Sequence, residues 1–177
     1  MRMEELIERL RRATIGATFN FYRDGDGAAV RCERLLGYLR GRRDAPLLLV
    51  GEAAGHRGAR ISGIPFTSER QLTGFGPAEA TATVVRRTLA ELELEERTLC
   101  WNVVPTHPHL PGEHGTNRRP THAEAEASRP FLQELARGRR VIAVGRLAQR
   151  ELGGEAVRHP SHGGAVAFRT GLIQLLA

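Results

Sequence analysis

The sequence predicts an α/β fold: a three-layer α/β/α sandwich on a central parallel sheet of about four strands, in one domain over residues 1–177. Three features predict it. Short unbroken apolar runs, such as LLLV (47–50) and VIAV (141–144), end abruptly in glycine, as strands buried on both faces do. Segments with leucines at helical spacing lie between them. The connections between successive runs are too long for hairpins, so the strands run parallel through crossovers.

Taken in order, Glu4 to Arg12 carries Leu6, Ile7 and Leu10 on one stripe, a first amphipathic helix. A polar, glycine-rich stretch from Asp24 to Gly27 separates it from a second helix, Val30 to Arg40, which carries Leu35, Leu36 and Leu39. Leu47 to Val50 is the first central strand, and a long polar loop follows to about Gly76. Pro77 to Leu92 is expected to be a helix, with Pro77 in its first turn and Glu79 near its positive end. Thr98 to Val103 is the second strand, and Pro105 to Pro120, with four prolines and two glycines, is a loop. Thr121 and Glu124 fit a capping box, and Pro130 is expected to break the helix that follows. Arg140 to Val144 is the third strand, Arg146 to Leu152 a short helix, Ala156 to Arg158 the last strand and Phe168 to Leu176 a final helix. Parallel sheets bind ligands beyond the carboxyl ends of their strands. Glu52–Ser68, Asn102–Pro120, Gly145–Arg146 and His159–Gly164 fall there.

Composition narrows the function. The formal charge is +6 and the pI about 10.7, a balance that favours polyanions such as DNA. All 26 basic residues counted as Lys+Arg are arginine. A P-loop needs its lysine to reach phosphate, so that class of NTPase is excluded. Schiff-base chemistry would have only the N-terminal amine to use. Cys32 and Cys100 form no CxxC pair, which excludes a zinc ribbon or a four-cysteine iron–sulfur cluster within one chain. Both are expected to be small buried hydrophobes in a reducing compartment. His107, His109, His114 and His122 lack a fixed helical spacing, so no metal site is expected. No apolar run approaches the ~20 residues of a membrane span, and the start, MRMEELIERLRRAT, has no signal-peptide core; a cytoplasmic protein is expected.

Three strand-end loops carry a resemblance. GEAAGHRGARISGIPFTSE (51–69), WNVVPTHPHLPG followed by NRRPT (101–121) and RHPSHGG (158–164) resemble, in order and spacing, the motifs of the uracil-DNA glycosylase superfamily. The resemblance covers roughly residues 46–164 and implies an enzyme of base excision repair that flips a damaged base, uracil, out of DNA and hydrolyses it from its sugar. Such chemistry needs a stacking aromatic, a reader of the base edge, a donor for the developing oxyanion and a positioned water. The resemblance implies Phe66 for stacking and Asn102 for the edge, accepting from uracil N3–H and donating to O4. Cytosine presents the reverse pattern, and each mismatched polar contact costs ~1–3 kcal/mol. His159, as a neutral imidazole, would donate to O2. Glu52 is the candidate for orienting water or steadying the cationic sugar. Gly51, Ala53 and Gly55 would line the base, the glycines allowing close backbone approach. Arg57, Arg60, Ser68, Arg118 and Ser161 would hold phosphates.

The departures are specific. The superfamily's usual aspartate, two residues after the first glycine, is Ala53 here, and its usual proline is Ala54. The bulky residue that screens out thymine's methyl is Gly55, and His162-Gly163-Gly164 replaces the leucine wedge. A glycosylase for hypoxanthine or mismatched thymine is therefore an alternative, as is a non-catalytic module that binds damaged DNA. A nucleotide-binding Rossmann domain fits poorly, since no GxGxxG follows the first strand. DNA is the expected partner, with no cofactor and a monomeric enzyme. With no lysine, cleavage of the base alone is expected, leaving the abasic strand intact.

Overall fold

The structure, a computed structural model, describes residues 2–177. The chain runs α1 (Met3–Arg12), β1 (Thr18–Phe19), α2 (Ala28–Gly41), β2 (Leu47–Ala53), α3 (Ala59–Ser62), α4 (Glu69–Thr73), α5 (Ala80–Glu91), β3 (Thr98–Val104), β4 (His107–Pro108), α6 (His122–Ala136), β5 (Arg140–Val144), α7 (Arg146–Leu152), β6 (Ala156–Val157) and α8 (Ala165–Leu176). The main sheet has four strands in the order β3-β2-β5-β6, all parallel. Alternation along the strands divides the core. Leu48, Val50, Leu99 and Trp101 face one side, where α1, α2 and α6 bring Leu6, Leu10, Leu35, Leu39, Phe131 and Leu135. Leu47, Leu49, Cys100, Ile142 and Val144 face the other, against Val85 and Leu89 of α5 and Phe168 and Leu172 of α8. This is the α/β sandwich that the apolar runs and helical stripes predict. None of its helices is long and apolar enough to cross a membrane, among the described residues.

The structure departs from the sequence reading in several places, among them α3 and α4 inside the loop expected up to Gly76. The helix α6 passes through Pro130 unbroken. Pro130 and Glu126 both lie on the exposed face, so the Glu126 carbonyl that loses its partner meets water, and the missing bond is tolerated. The helix α5 begins at Ala80, with Glu79 as the capping residue and Pro77 outside it. Thr18–Phe19 pairs antiparallel with His107–Pro108, a two-stranded ribbon too short for any sequence period. Cys100 is buried as expected, whereas Cys32 is half-buried and its thiol lies 3.2 Å from the Tyr22 carbonyl oxygen, which accepts from it.

The strand order places the site. From β2 the chain crosses to β3 on one side of the sheet and later returns to β5 on the other. The connections leaving β2 and β5 therefore diverge and open a crevice at the carboxyl end of the sheet.

Candidate active site

A cleft of about 1110 Å³ occupies that crevice. Its walls come from all four strand ends: Glu52 and Ala53 at the end of β2 with Ala54 and Gly55 beyond, Asn102 on β3, Gly145 and Arg146 after β5, and Arg158 and His159 after β6. It is larger than the roughly 300–1,000 Å³ of a small-molecule pocket, with room for an extruded nucleotide.

The innermost corner is built by Gly51, Phe66 and Asn102. Gly51 pairs with Asn102 across β2 and β3. A Cβ on Gly51 would lie 2.4 Å from the Phe66 ring and 2.9 Å from Asn102 Oδ1, so only glycine leaves both side chains in place. Phe66 adopts φ +51°, a left-handed conformation that costs a non-glycine residue ~1–3 kcal/mol and persists only where neighbours impose it. They do so here. Ser62 Oγ accepts from the Ile64 N–H at 3.1 Å and donates to the Thr67 carbonyl at 2.6 Å, and the Tyr22 hydroxyl donates to the Gly63 carbonyl at 2.9 Å. Asn102 is 4% exposed, and its amide has no hydrogen-bond partner among the described residues. Neither amide atom is sealed from solvent, so the group presents one donor and one acceptor to the cleft.

His159 stands on the opposite wall with its tautomer fixed. Its Nδ1 accepts from the Ser161 backbone N–H at 3.2 Å and lies 2.7 Å from Ser161 Oγ. A backbone N–H only donates, so Nδ1 carries the lone pair and Nε2 carries the proton. Burial, then His162 and Arg158, holds the imidazole below its ordinary pKa, which keeps the ring neutral. Close approach requires glycine behind it: a Cβ on Gly145 (φ +88°) would lie 3.0 Å from His159 Cβ.

Two carboxyl groups line the cleft. Glu52 is half-buried; burial raises its pKa and Arg119 and Arg150 pull it back. Glu79, at the start of α5, has a carboxyl raised by burial with no cation opposing it. That carboxyl rests on the turn after β2: Cβ atoms on Gly55 and on Gly58 would each lie 2.1 Å from one of its oxygens. The space opened by Gly55 is thus occupied by Glu79.

Of the expected phosphate ligands, Arg57 is exposed and has no partner among the described residues. Arg60 is half-buried, with its guanidinium 5.8 Å from the Phe19 ring centroid, and lies outside the cleft wall. Ser68 is fully buried at the start of α4, where its N–H and hydroxyl donate to Gln71 Oε1 at 2.7 and 2.9 Å. Arg118 lines the cleft but grips Glu124 through both terminal nitrogens, at 2.8 and 2.6 Å, and donates from Nε to the His109 carbonyl at 3.0 Å. Ser161 holds His159. The cleft also carries Arg119, Arg146 and Arg158, all exposed and without ion-pair partners among the described residues; these the motif reading passed over. Each immediately follows a recognised residue or strand end, so position alone marks them. Asn117 ties two walls together, its Oδ1 accepting from the His56 N–H and its Nδ2 donating to His56 Nδ1, both at 3.0 Å.

The uracil DNA glycosylase superfamily model matches residues 40–173. No curated protein matches the chain. Among solved structures, the crystal structure of wild-type SMUG2 from Pedobacter heparinus is similar, with a TM-score of 0.67 over 99% of this chain and 97% of that one. The identity is 14%, and the likeness is one of fold.

Proposed function

Because the chain belongs to the uracil DNA glycosylase superfamily, and is accordingly a DNA glycosylase, we propose that uracil is the base it removes, by hydrolysis and without strand cleavage. The observation that carries this reading is the unpartnered amide of Asn102 beside the Phe66 ring, facing a cleft that also holds a neutral His159 with a free Nε2–H. An amide offers one acceptor and one donor face, the complement of uracil N3–H and O4. Phe66 stacks on the flipped base. The glycosidic electron pair leaves with the base, charge grows on O2, and the Nε2–H of His159 donates to it. A neutral donor suits this, since it stabilises the anion without having to surrender a proton. The exposed Arg57, Arg119, Arg146 and Arg158 hold the backbone on either side of the extruded nucleotide, and the enzyme works as a monomer.

The test is excision from oligonucleotides bearing uracil, hypoxanthine or a G·T mismatch, followed by alkaline cleavage of abasic sites. Release of uracil in preference to the other bases is expected. Preferential release of hypoxanthine or thymine would reassign the substrate, and binding without release of any base would make the chain a damaged-DNA-binding module. Borohydride trapping is expected to give no protein–DNA adduct.

A further inference from the structure

The geometry points to Glu79, from the start of α5, as the catalytic carboxylate that positions and deprotonates the attacking water, taking the place of the acid that Ala53 does not supply. This rests on the glycosylase reading. It starts from the turn that leaves β2. A carboxyl group lies against that turn: a Cβ at Gly55 or at Gly58 would lie 2.1 Å from a Glu79 oxygen, so glycine at both positions leaves the carboxyl where it is. Glu79 holds the N-cap position of α5, but its side chain makes no capping bond. Among the described residues it has no hydrogen-bond donor and no cation. A half-buried carboxyl in the cleft with neither donor nor cation is free to meet water or a ligand.

Glu79 lines the same cleft as Asn102, Phe66 and His159, its carboxyl against the turn that leaves β2. A carboxylate raised by burial is a stronger base near neutral pH than an ordinary one. Burial raises the Glu52 carboxyl as well, but there Arg119 and Arg150 oppose it in part, whereas no cation opposes Glu79.

The step balances. As the C1′–N1 bond breaks, its electron pair leaves with uracil and the sugar becomes cationic. The carboxylate of Glu79 accepts a proton from water while the water oxygen bonds to C1′. The products are the abasic sugar and the uracil anion, and the proton held by Glu79 then returns to solvent or to the departing base.

The experiment uses the full chain with Glu79→Gln and Glu79→Ala, in single-turnover excision of uracil from single-stranded DNA across pH 5 to 9, with abasic-DNA affinity and thermal melting measured beside it. The expected result for Glu79→Gln is a ~10²–10⁴-fold slower rate and loss of its part of the acid limb, with little change in abasic-DNA affinity. Formate is expected to restore part of the rate to Glu79→Ala by entering the vacated space, a response a structural role would not give. The melting data carry their own sign. A carboxyl whose pKa is raised by folding favours the folded state while protonated, and that contribution is lost as pH rises through the folded-state value. Glu79→Gln is therefore expected to melt higher than wild type at pH 8 and to lose that advantage on acidification. An active wild type with a full rate and an intact acid limb in Glu79→Gln overturns this assignment alone. A wild type that releases none of the bases overturns the glycosylase reading along with it.

Discussion

Asn102, on β3, and Arg118, in the long connection between β3 and α6, line one cleft and differ in what they have left to offer a ligand. Asn102 is almost wholly buried and bonds to nothing among the described residues. Arg118 is saturated: Glu124 takes both its terminal nitrogens and the His109 carbonyl takes the third. Glu124 in turn accepts from the Thr121 N–H at 2.8 Å to complete the capping box, and a Cβ on Gly16 would strike its side chain. The arginine therefore fastens the loop to the start of α6, and the asparagine faces the cleft. Both are polar residues in a motif, and what separates them is whether their hydrogen bonds are already made. The same distinction separates Ser161, bound to His159, from Glu79, which has no hydrogen-bond or ion-pair partner among the described residues.

The sharpest break of this contrast is substitution on the unpartnered side. Asn102→Ala and His159→Ala are each expected to slow single-turnover excision by ~10²–10³-fold, as loss of one transition-state donor does. Affinity for abasic DNA should fall much less, because the base is gone from that ligand. Asn102→Ala should also blur uracil against cytosine. Near-normal rates in folded variants would move the active site elsewhere.

On the saturated side the effect is expected in stability. Arg118→Ala leaves the Glu124 carboxylate buried without its cation, a change that costs about 3 kcal/mol and lowers Tm by roughly 6–12 °C in a domain of this size. The pKa of Glu124, held below the ordinary range against its own burial by Arg118 and the Thr121 N–H, adds a pH signature. A depressed carboxyl stabilises the fold above its unfolded value and loses that contribution as pH falls through the folded one. The Tm difference between wild type and Arg118→Ala should therefore shrink on acidification. An unchanged Tm at neutral pH would show the ion pair to be dispensable.

The smallest effects belong to the exposed arginines. Arg119→Ala, Arg146→Ala and Arg158→Ala should each weaken DNA binding a few-fold, reducing the slope of log affinity against log salt by about 1 for each phosphate left without its arginine. Their Tm values should barely move, as for surface substitutions generally. A salt slope identical to wild type in all three would remove them from the DNA path.

The sequence by itself determined the framework. Apolar runs of strand length with glycine at their ends can be buried in a parallel sheet and little else, and the leucine stripes have no other surface to cover. Order along the chain then brought Asn102, His159 and the Gly51 turn to one edge, because every strand of a parallel sheet ends on the same side. Tertiary structure decided which polar groups were free to act. The pairing of Arg118 with Glu124 was hidden in a capping-box pattern, since a local motif does not say what else will reach its glutamate. The burial of Ser68 and the ribbon joining Thr18–Phe19 to His107–Pro108 depend on segments distant in the chain. Glu79 read as an ordinary acid at a helix start, 24 residues beyond Gly55. Only folding laid its carboxyl on the two glycines, because contacts between crossover segments follow from how α5 packs on the sheet and leave no local period in the sequence.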